Sequence, residues 1–227
     1  MGEVIRKDAA AADIIADVRA TLTSATARGG EWASAATERL GAVATLADGV
    51  STRWTEANAA AAPAEAALAL ADEQADKLLG RVSDDIWNAV GRPGSDPALD
   101  ILFPGGISYY AQGAVDEQPA RMQLLAELLE GGVHPRLEAS RAAALAAEVR
   151  GAATELESRV DAARPLIARR RLTERMQTSI ARTAQVALSR LKAQWKADGK
   201  TEAEIHAVIP DRPSRRTRRD TDPTPPA

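Results

Sequence analysis

Cysteine is missing from this 227-residue chain, which excludes disulfides, thiolate nucleophiles and zinc sites built on cysteine. Histidine is nearly missing too: His134 precedes a proline in a turn and His206 lies near the C-terminal tail. Two residues so placed give little from which to assemble an imidazole metal site or acid–base pair. No metal, cofactor or small-molecule substrate is therefore expected. Long apolar runs are also lacking. The most Ala-rich window, 57–71, is interrupted by Asn58, Pro63 and Glu65 and falls short of the ~18–20 apolar residues of a spanning helix. The stretch Met1 to Arg6 has no signal-peptide core, and Arg6 stands where a myristoylation motif needs Ser or Thr. These absences point to the cytoplasm, with which the lack of cysteine agrees.

Aromatic residues make up only 3% of a chain that is 45% apolar, so the apolar content is mostly Ala, Leu and Val. Ala, Leu, Arg and Glu are strong helix formers, and the expected fold is all-α: an elongated antiparallel bundle of about four long Ala-rich helices with short accessory ones. From Ile15 through Val18, Leu22, Ala25, Gly29, Trp32, Ala36, Val43, Leu46, Val50 and Trp54, apolar or small residues recur at near 3,4 spacing. That spacing lays a coiled-coil-like stripe along a helix. It resumes at Leu68, Ala71, Ala75, Leu78, Val82, Ile86 and Ala89. One helix over the whole span would be ~110 Å long, so the chain must turn. Asp48-Gly49 is the preferred turn because it gives helices of similar length, about 4–47 and 51–90, with Pro63 kinking the second. The rival places the turn at Pro63 and a break at Gly29-Gly30.

Later segments carry clearer punctuation. Asp116-Glu-Gln-Pro119 opens a short helix that ends at Gly131-Gly132. A helix from about 135 carries Leu145, Val149, Ala152, Leu156, Val160, Ala163 and Ile167, and Pro165 is expected to separate it from a last long helix. That helix presents Leu172, Met176, Ile180, Thr183, Ala187, Leu191 and Trp195 and ends near Asp198-Gly199. Thr201 to Glu204 reads as a capping box. The expected organisation is a single helical-bundle domain over residues 1–209, with an insert at 91–113 and a disordered Arg/Pro-rich tail at 210–227.

The insert concentrates what is individual about the chain. Its only Phe and both Tyr residues, Phe103, Tyr109 and Tyr110, lie there among Gly and Pro, and Pro104-Gly105 suits the centre of a type II turn. Leu99, Ile101, Leu102, Phe103, Ile107, Tyr109 and Tyr110 are too apolar for a solvated linker. They either cap the core or dock a protein partner. Gly105-Gly106 lacks the Lys-Ser/Thr of a phosphate loop and follows no strand.

Charge is unevenly distributed. Residues 1–163 hold 14 basic and 25 acidic side chains, whereas residues 164–219 hold 15 basic and 5 acidic ones. Arg169, Arg170 and Arg171 with Arg212, Arg215, Arg216, Arg218 and Arg219 of the tail form a candidate polyanion-binding set. The simpler account for the helical part is pairing with the acidic helices. The acids Asp72, Glu73, Asp76, Asp84 and Asp85 read as a solvated face, because no Glu-x-x-His motif accompanies them. No nucleophile, base and orienting group can be assembled, so an enzyme is not expected. The leading expectation is a structural or adaptor protein working through protein partners or self-association. Nucleic-acid binding through the tail and a membrane-active helical effector are the alternatives, and a membrane partner is the less expected of the two.

Overall fold

The computed structural model describes residues 9–210. The chain is an all-α helical bundle: α1 (Ala11–Arg28), α2 (Gly30–Ala89), α3 (Pro97–Leu102), α4 (Ser108–Ala111), α5 (Gln118–Glu130), α6 (Ala139–Ala197) and α7 (Glu202–His206), with no strand among the described residues. The tail from residue 211, where a disordered segment with five arginines was expected, lies outside the described residues.

The turn at Asp48-Gly49 does not occur, and neither does the one at Pro63. The α2 helix runs unbroken through both, and the chain breaks instead at Gly29, with φ 71° and ψ −168°. That is a conformation essentially closed to residues with a Cβ. A mid-helix glycine costs only about 1 kcal/mol, so Gly49 is too weak a breaker to end a helix with a packed face. Pro63 is exposed, so the carbonyl it leaves without a donor is on the watered side. The expected boundary at Pro165 fails likewise, for α6 continues through it with the proline on its exposed face. The helix begins at Ala139 rather than near 135, beyond the turn made by His134 and Pro135.

Other local signals hold. Thr201 and Glu204 form the capping box of α7, and Pro119 lies in the first turn of α5. At the end of α2 the Arg92 N–H donates to Trp87 O at 2.9 Å around Gly91, whose φ is 91°. This closing turn needs a left-handed residue, and it delivers the chain into the insert.

The described residues gather into two compact units, one made of the chain up to Thr55 and from Leu172 on, the other of Glu56–Arg171. In the first, α1 lies antiparallel to the start of α2, tied by Arg19 to Asp48 at 2.9 Å. Its core takes Ile14 and Val18 from α1, Ala36 and Leu40 from α2, Ala184, Leu188 and Leu191 from α6, and Ile205 beyond. Trp195 is buried against Trp32 with ring centroids 4.6 Å apart. In the second unit α2 and α6 are again antiparallel, cross-linked by Arg81–Glu148 at 2.7 Å and Arg170–Glu65 at 2.5 Å. Its core stacks Leu79, Val82 and Ile86 on Leu145, Val149 and Leu156, with α5 adding Met122, Leu125 and Leu129.

The two glycines are expected to respond oppositely to alanine. A Cβ at Gly49 meets nothing within 4 Å, so Gly49→Ala should stabilise by roughly 0.5–1 kcal/mol. Gly29→Ala should destabilise by about 1–3 kcal/mol. Urea midpoints of the two variants check this, and the reverse order would move the turn back to Asp48-Gly49.

Candidate functional site

The insert is held on the second unit by one polar clamp and one aromatic plug. Asp96 caps α3 by accepting the Ala98 N–H at 2.9 Å, with Pro97 in the first helical position, where its missing donor costs nothing. The same carboxylate takes the Arg136 guanidinium and lies 3.3 Å from His134 Nε2. His134 Nδ1 accepts the Arg136 N–H at 3.2 Å, so the ring hydrogen sits on Nε2 and is donated to Asp96. Both ring nitrogens are thus engaged within the fold, and this buried histidine is a strut between the insert and the α5–α6 connection. Burial pushes the Asp96 carboxyl up, but hydrogen bonds from Arg136, the Ala98 N–H and His134 outweigh it and hold the group below the usual carboxylate range. Sequence reasoning missed this clamp. The Asp-Pro pair at a helix start was its one readable signal.

The aromatic plug divides the candidate docking residues. Leu102, Phe103 and Tyr110 are buried in the second core, and Leu99 and Ile107 are half-buried against it. Phe103 and Tyr109 both meet the Tyr110 ring edge-on, at 6.0 and 5.0 Å, and the Tyr110 hydroxyl donates to Leu102 O at 2.6 Å. The turn at Pro104-Gly105 closes as expected, with Gly106 N–H donating to Phe103 O at 2.9 Å and a positive φ at Gly105. Two residues of the set face outward: Ile101 is 57% and Tyr109 41% exposed, next to Leu102 and Tyr110 at 0%. Trp87, expected from its place beside a helical stripe to pack in the core or at an interface, is exposed where α2 enters the insert. It lies under the Arg92 guanidinium and donates to Pro93 O at 3.3 Å.

Part of the basic stretch is paired within the fold. Arg170 holds Glu65 through both nitrogens, at 2.5 and 2.6 Å, and Arg169 approaches Glu56 at 4.0 Å. Lys192 and Lys196 share Glu202, and Lys200 reaches Glu31 at 3.0 Å. Arg171 is exposed and stands apart from these pairs. Arg212, Arg215, Arg216, Arg218 and Arg219 lie outside the described residues. Of the acids, Asp76 accepts from the buried Gln118 at 2.8 Å, tying α5 to α2, and burial and the Asp76 charge raise the neighbouring Asp72. Among the described residues no group of His, Asp and Glu could hold a metal ion, and no helix is long and apolar enough to cross a membrane. No family model, curated protein or solved structure matches this chain.

Burial, then the Tyr109 charge, pushes the Tyr110 phenol up to about 12. A group whose folded pKa is raised stabilises the fold fully below its unfolded value of about 10 and loses that contribution as pH climbs through the folded value. Urea stability should therefore fall between about pH 10 and 12 more steeply in the parent protein than in Tyr110→Phe. At neutral pH the same variant should lose about 1–3 kcal/mol, because it leaves Leu102 O buried without a donor. Asp96→Asn should destabilise at neutral pH. Since the Asp96 pKa is depressed, its contribution is present above the usual carboxylate range, so the difference should begin to shrink as pH falls below about 4 and vanish only once pH has fallen through the lower folded value.

Proposed function

We propose that this protein is a non-enzymatic structural or adaptor component of the cytoplasm, acting through helix–helix contacts and through contacts made by its insert. One observation carries the reading. At two places in the insert an outward apolar side chain stands next to an inward one, Ile101 beside Leu102 and Tyr109 beside Tyr110. An exposed aromatic or aliphatic group on a base fixed by burial loses little freedom when it binds, which is what makes a good contact residue. The outward pair lies on α3 and α4, which the Asp96 clamp and the Tyr110 hydrogen bond hold in place. The partner is a protein surface, in another chain type or in a second copy of this one.

Polyanion binding is the weaker reading. Of its candidate residues, Arg169 and Arg170 already face Glu56 and Glu65, so that reading rests on Arg171 and on tail arginines outside the described residues. A membrane-active role is weaker still, since Leu102 and Phe103, the apolar centre of the insert, are committed to the core.

A photo-crosslinking amino acid at Tyr109, introduced in cells, should trap one adduct of discrete mass. Ile101→Ser in the same chain should abolish it without loss of helicity. A crosslinker at exposed Arg182 on α6 is the control. Adducts equal at both positions, or none at Tyr109, would remove the insert as a contact surface.

A further inference from the structure

The second unit carries a cleft of about 340 Å³ between α2, the approach to α5, and α6, within the ~300–1,000 Å³ typical of small-molecule sites. Its apolar walls are Leu68 of α2, Val115 ahead of α5, and Val160 and Ile167 of α6. Arg164, Arg171 and Asp116 supply the charge. We propose that it binds a small monoanionic amphiphile, a carboxylate on a medium-length alkyl chain.

The charges fix the orientation. Val160 and Arg171 lie about 16 Å apart along α6, and a neighbouring cleft shares Asp116, Val160 and Arg164 with this one but lacks Arg171. Asp116 therefore belongs to the Val160 end and Arg171 to the other. Elsewhere in this unit arginines take carboxylates through both nitrogens, Arg150 on Glu130 and Arg170 on Glu65. Arg171 has no such partner among the described residues, so the head group belongs there. Fork geometry favours a carboxylate or phosphate over a neutral head. The alkyl chain then runs over Ile167 and Leu68 toward Val160 and Val115. Arg164 lies at the Asp116 end but meets Asp161 at 3.2 Å, which offsets its charge there. Asp116 at the far end disfavours a second negative group, so a monoanion fits better than a dianion.

Octanoate titrated into the full-length protein should shift the methyl resonances of Leu68, Val115, Val160 and Ile167 saturably, with a Kd of roughly 0.1–1 mM. Arg171→Gln should weaken binding roughly tenfold. Ala168→Trp, an exposed position in the cleft lining, should block it with helicity intact. Octylamine and octanedioate should bind more weakly than octanoate. No saturable shift at ~5 mM octanoate would overturn the site, since that is well above the expected Kd. Affinity unchanged in Arg171→Gln, or octylamine binding as well as octanoate, would overturn the anionic head group. Octyl phosphate binding more tightly than octanoate would overturn the choice of carboxylate.

Discussion

Alanine on the facing surfaces of α2 and α6 is the constraint from which much else follows. Ala71 and Ala75 of α2 and Ala146 and Ala153 of α6 are buried in the second core, and Ala35, Ala36, Ala181 and Ala184 in the first. A methyl group allows close approach but removes little apolar area and interlocks poorly, so alanine faces leave both register and stability under-determined. Each unit makes good the deficit in the same two ways. Long side chains bridge the helices at fixed heights, Glu65 to Arg170 in one and Arg39 to Gln194 in the other. Then a few large side chains fill what alanine leaves open: Trp195 against Trp32 in the first unit, Phe103 and Tyr110 in the second. The aromatic scarcity of the chain and the placement of its few rings are two sides of one design.

The same constraint decides how much could be read beforehand. Helical class, the capping box at Thr201 and the start of α5 at Pro119 were legible because each rests on local chemistry. The α2 core positions Val82 and Ile86, and Leu145, Val149 and Leu156 of α6, were legible because bulky residues mark the face. Along the end of α6 the expected stripe ran through Ile180, Thr183 and Ala187, whereas Ala181, Ala184 and Leu188 are the buried ones. Alanine on both sides made a one-residue shift invisible. Leu46, expected on the stripe, is 61% exposed for the same reason. The prolines misled in another way: Pro63 and Pro165 mark a local cost of about 3 kcal/mol, while continuity of a 60-residue helix is decided by the packing along its whole length.

In the insert, composition announced importance without direction. A chain that alternates Ile101 out, Leu102 in, Tyr109 out, Tyr110 in carries no hydropathy signal for which is which. The answer comes from a hydroxyl that reaches Leu102 O and from an aspartate shared by a helix start, an arginine and a histidine. Charge was more transparent, since part of the cationic helix does meet acidic partners, Arg169 and Arg170 on Glu56 and Glu65 among them.

The second unit occupies one continuous stretch of sequence, whereas the first is assembled from both sides of it. Arg81 finds Glu148 after 67 residues, but Glu31 waits 169 residues for Lys200. During synthesis at about 5–20 residues per second, the nested unit can therefore close while α1 and the start of α2 still lack the helix that completes their core. For some seconds after Arg171 leaves the ribosome, an alanine-faced helical hairpin stands exposed, and its protection in that interval is left to the nascent chain's own charges or to a chaperone.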